Sequence, residues 1–362
     1  MKPLRETNKL LGLELLRFIS AMAVLVFHYQ HFVFVDDVQP ASFDRTRQPL
    51  YQALAIFYEQ GYVGVYIFWC ISGFIFFWRY RESIATRLVG GRKFFILRFS
   101  RLYPLHFATL LLVAALQFTY SRSHPGFFVY SFNDARHFIL QLFMASNWGL
   151  EKGYSFNGPI WSISLEVLVY GVFYLTLAYI SKSWTVNILV LAAFVGFHLL
   201  KTHFPIVDCL AFFYAGGLSA IAYRWIATRH FVSWATIAAW VFVAAVPIVV
   251  YATGLHRRPG FPIPFLITYT PVVLYCLCGN FKTSPAVRTV IEAAGNMTYS
   301  SYLLHFPLQL ALVIAFSAWG VSIPFYSAGF FWFYVLATLA ASYFTFGRFE
   351  LPAQNLLRRR FG

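Results

Sequence analysis

The sequence is poor in charge. Asp, Glu, Lys and Arg make up 11% of 362 residues, against about 25% in a soluble domain, which excludes an ordinary water-soluble fold. Acidic residues are the scarcest, 13 against 28 basic ones, for a net charge of +15. No polar stretch is long enough to form an appended soluble domain. The roughly ten-residue alternating segments of a membrane barrel are missing too. The four cysteines, Cys70, Cys209, Cys276 and Cys278, all fall in apolar segments, and the spacing of the last two points them to different helix faces. They read as packed thiols, with no disulfide framework and no metal site. Nor is there a nucleic-acid motif to go with the positive charge, so no nucleic-acid partner is expected.

Apolar residues fill the space that charge leaves, at 59% of the chain, with aromatics at 21%. They form recurring runs of about 17–25 residues, the length that spans a bilayer as a helix. Only helices and closed barrels satisfy every backbone polar group in lipid. The expected fold is therefore all-α: a polytopic membrane helical bundle forming one domain over residues 1–362. About ten spans are expected, at 11–35, 61–79, 102–120, 160–180, 184–200, 208–223, 232–252, 262–280, 298–319 and 326–346. The segment 137–147 is too short to cross and reads as a re-entrant or interfacial helix. Lys2, Arg5 and Lys9 precede a long apolar run with no small-residue cleavage site, so the first run is expected to be a retained helix. With the N-terminus inside, 20 of the 28 basic residues fall on the inner side. The positive-inside rule then orients the chain N-in and C-in.

Ionisable residues inside spans are functional candidates by default. Arg17 and His28 lie eleven residues apart on the first span, close to three whole helical turns. They share a face and are separated by about 16 Å along the axis. Glu14, one turn earlier, is placed to pair with Arg17. Snorkelling at the interface is the bland reading of Arg17, and a carbonyl-bonded packed residue that of His28. His31 sits closer to the surface, and there the bland reading prevails. Glu166 lies in "GPIWSISLEVLVY", 158–170. Pro159 and Trp161 suit the outer interface, which puts Glu166 about 8–10 Å inside, a depth comparable to that of His28. A carboxylate on an imidazole fixes its tautomer and raises its basicity; the bland alternative is an interhelical polar contact. The stretch "RYRESIATRLVGGRKFFILRFSRLYP", 79–104, reads as a loop with seven basic residues and one acid, Glu82. Arg98 and Arg101 share a face just before the third span. Guanidinium forks bind phosphate bidentately, although a headgroup-facing loop has the same composition. "GNMTYSSYLLHFPL", 295–308, opens the ninth span with hydroxyls, His305 and Pro307. Paired interhelical hydroxyls are its bland reading.

In order along the chain, these stretches resemble the acyltransferase type 3 family of membrane proteins. Arg17 and His28 match its Arg–ten residues–His opening. "GYVGVYIFWCISGFIFFW" resembles its next pattern, with Gly61, Gly64, Ser72, Gly73 and Phe74. "RFSRLYP" matches Arg-x-x-Arg followed by Tyr-Pro, and Trp161, Ser162 and Glu166 match Trp-Ser-x-x-x-Glu. "GNMTYSSYLLHFP" matches the Gly-x-x-Ser-Tyr…His-x-Pro region, and "AFFYAGGLSA" and "FELPAQNLLRR" are weaker matches. Glu14 stands where Asp is usual, and Thr298 where Ser is commoner. Asp208 lies near a place where a basic residue often precedes the sixth span.

The resemblance implies a ten-span enzyme that transfers acyl groups, often acetyl, from acyl-CoA to extracytoplasmic glycans. That points to a multi-pass protein of a bacterial inner membrane, with the bilayer and a glycan or lipid-linked glycan as partners. On this reading Arg98 and Arg101, helped by Arg79, Arg81 or Lys93, hold the CoA phosphates. Arg17 binds a phosphate or the pantetheine amides, and His28 is the general base, oriented by Glu166. Trp161 stacks on the acceptor ring, and Ser72 donates to the thioester oxygen unless it serves close helix packing. Transfer through an acyl-histidine stays open, and neither Asp208 nor His305 receives a role. A proton-coupled transporter or flippase would use the same intramembrane His, Glu and Arg as a relay. A helical scaffold would ask least of them.

Overall fold

The computed structural model describes residues 10–36, 38–258, 260–279, 281 and 283–361. Lys2, Arg5, Lys9 and Lys282, which contribute to the charge asymmetry, lie outside them. The helices are α1 Leu11–His28, α2 Tyr51–Gln60, α3 Gly64–Ala85, α4 Gly91–Tyr120, α5 Ala135–Leu142, α6 Trp161–Leu175 and α7 Trp184–Leu199. They continue as α8 Pro205–Ile226, α9 Val232–Ala252, α10 Pro262–Leu277, α11 Pro285–Asn296, α12 Thr298–Ala318, α13 Ala328–Thr345 and α14 Leu351–Phe361. Among the described residues β-structure is limited to isolated bridges from Val35 to Val38 and to Phe128.

Eight helical stretches are long and apolar enough to cross a membrane, and two shorter apolar helices, α7 and α10, occupy the positions of the fifth and eighth expected spans. At 16 residues each, those two are shorter than the roughly 20 residues a span requires. Large apolar side chains such as Leu111, Phe118, Trp240 and Ile248 remain exposed on the long helices. A soluble surface does not carry so many, and the chain is an integral multi-pass membrane protein.

One expectation needs correcting. The arginine-rich stretch 79–104 is not a loop. Arg79 and Arg81 belong to α3, and Arg92, Lys93, Arg98 and Arg101 belong to α4. Arg and Lys are good helix formers, so charge alone does not end a helix. The break is confined to 86–90, where Arg87 takes a left-handed φ of 61° and Gly90 caps α4. The last expected span also continues, through a π-turn, into α14.

The helices fall into two compact groups. One comprises Met1–Ser20, Val63–Val89 and Val169–Gly295. In it α8 packs against α3, α7 and α10. A Cβ on Gly73 would run into the Phe213 carbonyl, and a Cβ on Gly216 into that of Cys70. These glycines of "ISGF" and "YAGG" therefore let two backbones approach, as small residues do where membrane helices cross. Pro247 inside α9 leaves the Val243 carbonyl without its helical amide. The Tyr269 hydroxyl of α10 donates to that carbonyl at 2.8 Å.

The second group comprises Ala21–Tyr62, Gly90–Leu168 and Asn296–Gly362. Its α12 packs against α4 and α13, and α14 against α4. α5 is capped by Asp134, which accepts from the His137 backbone N–H at 2.9 Å and contacts its ring at 2.7 Å. Those bonds hold the Asp134 carboxyl below the usual carboxylate range. His106 of α4 meets the Gln141 carbonyl at 2.7 Å, and Gln141 donates to the Ser155 carbonyl at 2.8 Å. The chain returning from α5 is thereby tied inward. Ser155, Phe156, Asn157 and Ile160 are all buried.

The glycine contacts generate a stability test. Gly216→Ala should cost on the order of 1–3 kcal/mol through overpacking against backbone. Gly171→Ala, on the same kind of helix with open space around it, should be neutral or slightly stabilising. Thermal unfolding in detergent reads both.

Candidate active site

α1 ends at His28 and tightens into a 3₁₀ turn, Tyr29–Val33. That turn brings His31 back onto His28, with ring centroids 4.7 Å apart at 41°. From α12, His305 stacks on His28 at 4.9 Å and 14°. Sequence reading set His31 aside as a residue nearer the membrane surface with only a packing role. The turn instead buries it to 7% exposure, edge-on to Tyr130 and Phe306. His305 is 1% exposed, and His28 is only partly buried. The sequence gives one signal for His305, its place in "HFP" among hydroxyls on a membrane helix. It gives none for which histidine it meets.

The polar atoms of this cluster are unevenly satisfied. The His28 carbonyl, at the end of α1, accepts from the Gln309 side-chain amide at 2.8 Å. Its ring interacts with the Val24 carbonyl one turn back, without hydrogen-bond geometry at Nδ1. Among the described residues, His28 Nδ1, His31 Nδ1 and His305 Nε2 are buried with no hydrogen-bond partner. Leaving a buried polar atom unsatisfied costs about 1–3 kcal/mol, and here three such atoms lie on rings in mutual contact.

Beside the histidines lies a dense hydroxyl network. Tyr302 bonds Ser162 at 2.7 Å and donates to the Pro159 carbonyl at 2.8 Å. Ser300 donates to Glu350 at 2.6 Å, and Tyr299 bonds the Leu102 carbonyl. The hydroxyls opening α12 thus pair between segments. Pro307 frees the Leu303 carbonyl inside α12, and buried Asn157 donates to it at 3.0 Å. Gly158 faces Tyr130, whose ring a Cβ there would strike.

The start of α6 therefore opens inside the protein. Pro159 is buried, its carbonyl accepting from Tyr302 while its neighbour Asn157 donates to α12. Trp161 is half-buried, its ring 6.1 Å from that of Tyr154. Glu166 is partly buried and lies within electrostatic reach of Tyr299 and Tyr302. It is not bonded at His28 Nδ1. Among the described residues, the rings that meet His28 are those of Phe27, His31 and His305.

A family model described as an acyltransferase domain matches residues 10–346. The chain belongs to the acyltransferase type 3 family. A curated acyltransferase, MdmB of Streptomyces mycarofaciens, is 27% identical over 161 residues, covering 44% of this chain and 36% of that protein. The matched part is thus about a third of that relative's length. No solved structure matches.

The remaining residues singled out from the sequence divide between the two groups of helices. In one, Arg17 pairs with Glu14 at 3.4 Å. The Glu14 carboxylate occupies the space a Cβ on Gly295 would need, which explains that glycine of "GNMT". Arg79 is exposed. Arg81 is engaged, donating to the Lys182 carbonyl at 2.7 and 3.1 Å and to Glu82 at 2.9 Å. The Ser72 hydroxyl meets that of Tyr170 at 3.2 Å, an interhelical contact next to the packed Gly73. In the other group Lys93 is exposed and Arg98 and Arg101 are partly buried on α4, with Arg101 in electrostatic reach of Tyr299.

Asn157 carries a sharp test of this geometry. Asn157→Ala should cost about 1–3 kcal/mol, because it strands the Leu303 carbonyl. Pro307→Ala added to it restores an amide N–H for that carbonyl. The double variant should therefore melt above the Asn157 single variant in detergent.

Proposed function

We propose that this protein is an acyl-CoA-dependent O-acyltransferase that moves an acyl group, acetyl by default, to a hydroxyl of an extracytoplasmic or lipid-linked glycan. The observation carrying this reading is His28. It is the member of a buried histidine cluster that keeps accessible surface, and it lies within the stretch matched to an acyltransferase family. The protein belongs, on this reading, in a bacterial inner membrane with both termini inside.

His28 acts as general base. The acceptor O–H gives its proton to the imidazole as the oxygen attacks the thioester carbonyl. The new C–O bond forms, the C–S bond breaks, and the departing thiolate takes the proton back from His28. An imidazole suits this exchange because one ring nitrogen can accept the proton and return it. Arg98 and Arg101, three residues apart on α4, suit a phosphate better than single charges would. Lys93, on the same helix, supplies further positive charge for the donor. A cavity of about 530 Å³ is lined by Val33, Phe43, Arg47, Phe325 and Tyr326. There the Arg47 guanidinium lies 4.7 Å over the Tyr326 ring. Such aromatic walls suit an acceptor ring.

Purified protein with acyl-labelled acetyl-CoA and a glycan acceptor tests the reading. Acceptor-dependent release of free CoA supports it, and proton-coupled glycan uptake into vesicles without CoA release would replace it with a transporter. His28→Ala should lower turnover by on the order of 100- to 10,000-fold while the protein still folds. Arg101→Ala should weaken acyl-CoA binding by about 10- to 100-fold, as loss of a charge-assisted phosphate contact does. Acceptor affinity should stay within about twofold, and equal loss of both would remove Arg101 from the donor site.

A further inference from the structure

The acyltransferase reading, on which this inference rests, leaves the acceptor open beyond a hydroxyl-bearing ring. The cavity beside Arg47 narrows it. Its volume of about 530 Å³ is that of a small-molecule site. One side is formed by the segment after α1, from Val33 to Arg47, and the other by the connection from α12 to α13, from Ile323 to Ser327. With both termini inside, these two segments lie on the outer side, where the acceptor enters. The wall is also packed on the turn that follows the candidate base. Tyr29, next in the chain to His28, donates to the Phe325 carbonyl at 2.7 Å and stacks on the Phe325 ring at 5.0 Å and 15°.

The charge in this cavity has one sign. Among the described residues that line it, Arg47 is the charged one and no carboxylate takes part. The Arg47 guanidinium lies 4.7 Å over the Tyr326 ring. Stacking engages the face of a guanidinium and leaves its in-plane N–H fork for another group. The ring beneath is held in place, because the Asp44 backbone N–H donates to the Tyr326 hydroxyl at 3.2 Å. The other charges nearby are engaged elsewhere. Arg45 donates to the Gln30 side-chain oxygen at 3.1 Å. Asp44 accepts from the Thr46 hydroxyl at 2.7 Å and the Thr46 backbone N–H at 2.9 Å. Those bonds hold its carboxyl below the usual range, and Arg47 adds a lesser pull. The Glu59 carboxylate meets the Tyr51 hydroxyl. Hydroxyls of Ser42, Tyr326 and Ser327 and the rings of Phe43 and Phe325 complete the lining.

We propose that this cavity binds an acidic sugar of the acceptor, with the Arg47 fork pairing its carboxylate, so that the enzyme selects anionic glycans over neutral ones. A guanidinium fork matches a carboxylate bidentately. The C–H face of a sugar ring, slightly positive, suits the negative face of an aromatic ring, and the lining hydroxyls suit the hydroxyls of a sugar. The phosphate of an anionic lipid would offer Arg47 the same charge, but it brings no ring to the aromatic wall. The hydroxyl that is acylated belongs to the same glycan, on this sugar or a neighbouring one.

The test titrates the purified full-length protein, in uncharged detergent, with oligosaccharides that contain glucuronic acid. The same oligosaccharides with each carboxyl group reduced to the alcohol serve as the neutral set. The wild-type protein should bind the acidic set about tenfold more tightly, the scale of one charge-assisted contact at a partly open site. Added salt should shrink that preference. Arg47→Gln should abolish it and Arg47→Glu should reverse it. Arg47 is exposed, so both variants should fold, which thermal unfolding checks. Equal binding of the two sets by the wild type, or binding of neither, overturns the proposal, and so does a preference that survives Arg47→Gln. Arg47-dependent binding of phosphatidylglycerol without binding of the acidic sugars makes the cavity a lipid site and overturns it too. Release of free CoA from acetyl-CoA with the same acceptors tests the underlying reading separately. Arg47-dependent binding of the acidic set without acceptor-dependent release keeps the sugar site and overturns acyl transfer. Release at equal acceptor KM for both sets keeps acyl transfer and overturns the acidic-sugar site.

Discussion

The Leu303 carbonyl has no amide of its own helix to bond, because Pro307 stands four residues later and carries no N–H. In water this would matter little. In a bilayer each such carbonyl must find a donor inside the protein, and here the donor is Asn157, on the chain returning from α5. Much of the second helix group follows from that demand. The return strand is drawn in until Asn157 reaches α12, which buries Phe156 to Ile160 and starts α6 within the protein. The hydroxyls of Tyr302 and Ser162 then close around the Pro159 carbonyl. Pro247, Val243 and Tyr269 repeat the arrangement in the other group. Prolines kept inside apolar helices thus act as points where one helix must accept a side chain from another segment.

The same helix that is pinned in this way presents His305 to His28. Two residues beyond His305, Pro307 draws Asn157 onto α12, and Gln309 reaches the end of α1. The candidate base is therefore held by an element whose own placement is fixed by main-chain bonding. Three ring nitrogens nearby have no partner among the described residues. A site for proton exchange needs lone pairs that the fold has not consumed. The supporting hydroxyls at Tyr299, Ser300 and Tyr302, by contrast, are fully engaged.

Much was legible from residue types and spacing. The poverty of charge and the lengths of the apolar runs specify membrane helices, because few solvents tolerate either. The periodicity of α1 puts Arg17 and His28 on one face, and proximity along the helix pairs Glu14 with Arg17, as found at 3.4 Å. The ordered motifs from Arg17 to Pro307 specify the family that the matched residues 10–346 confirm. These features are local or additive along the chain, so sequence suffices for them.

What the tertiary structure alone decided is which polar groups meet. Depth counted along separate helices suggested Glu166 for His28. That count compared positions along separate helices, and it does not show the stacking of His305 on His28. The 3₁₀ turn after α1 redirects His31 inward, which no helical wheel extends far enough to show. The arginine-rich stretch folds as two helix ends because its composition favours helix as strongly as it favours a charged loop. Sequence determined the solvent, the helices and the family, since each follows from composition or from residues close in the chain. The neighbour of His28 depended on how distant helices resolve their stranded backbone groups, and only their packing together settled that.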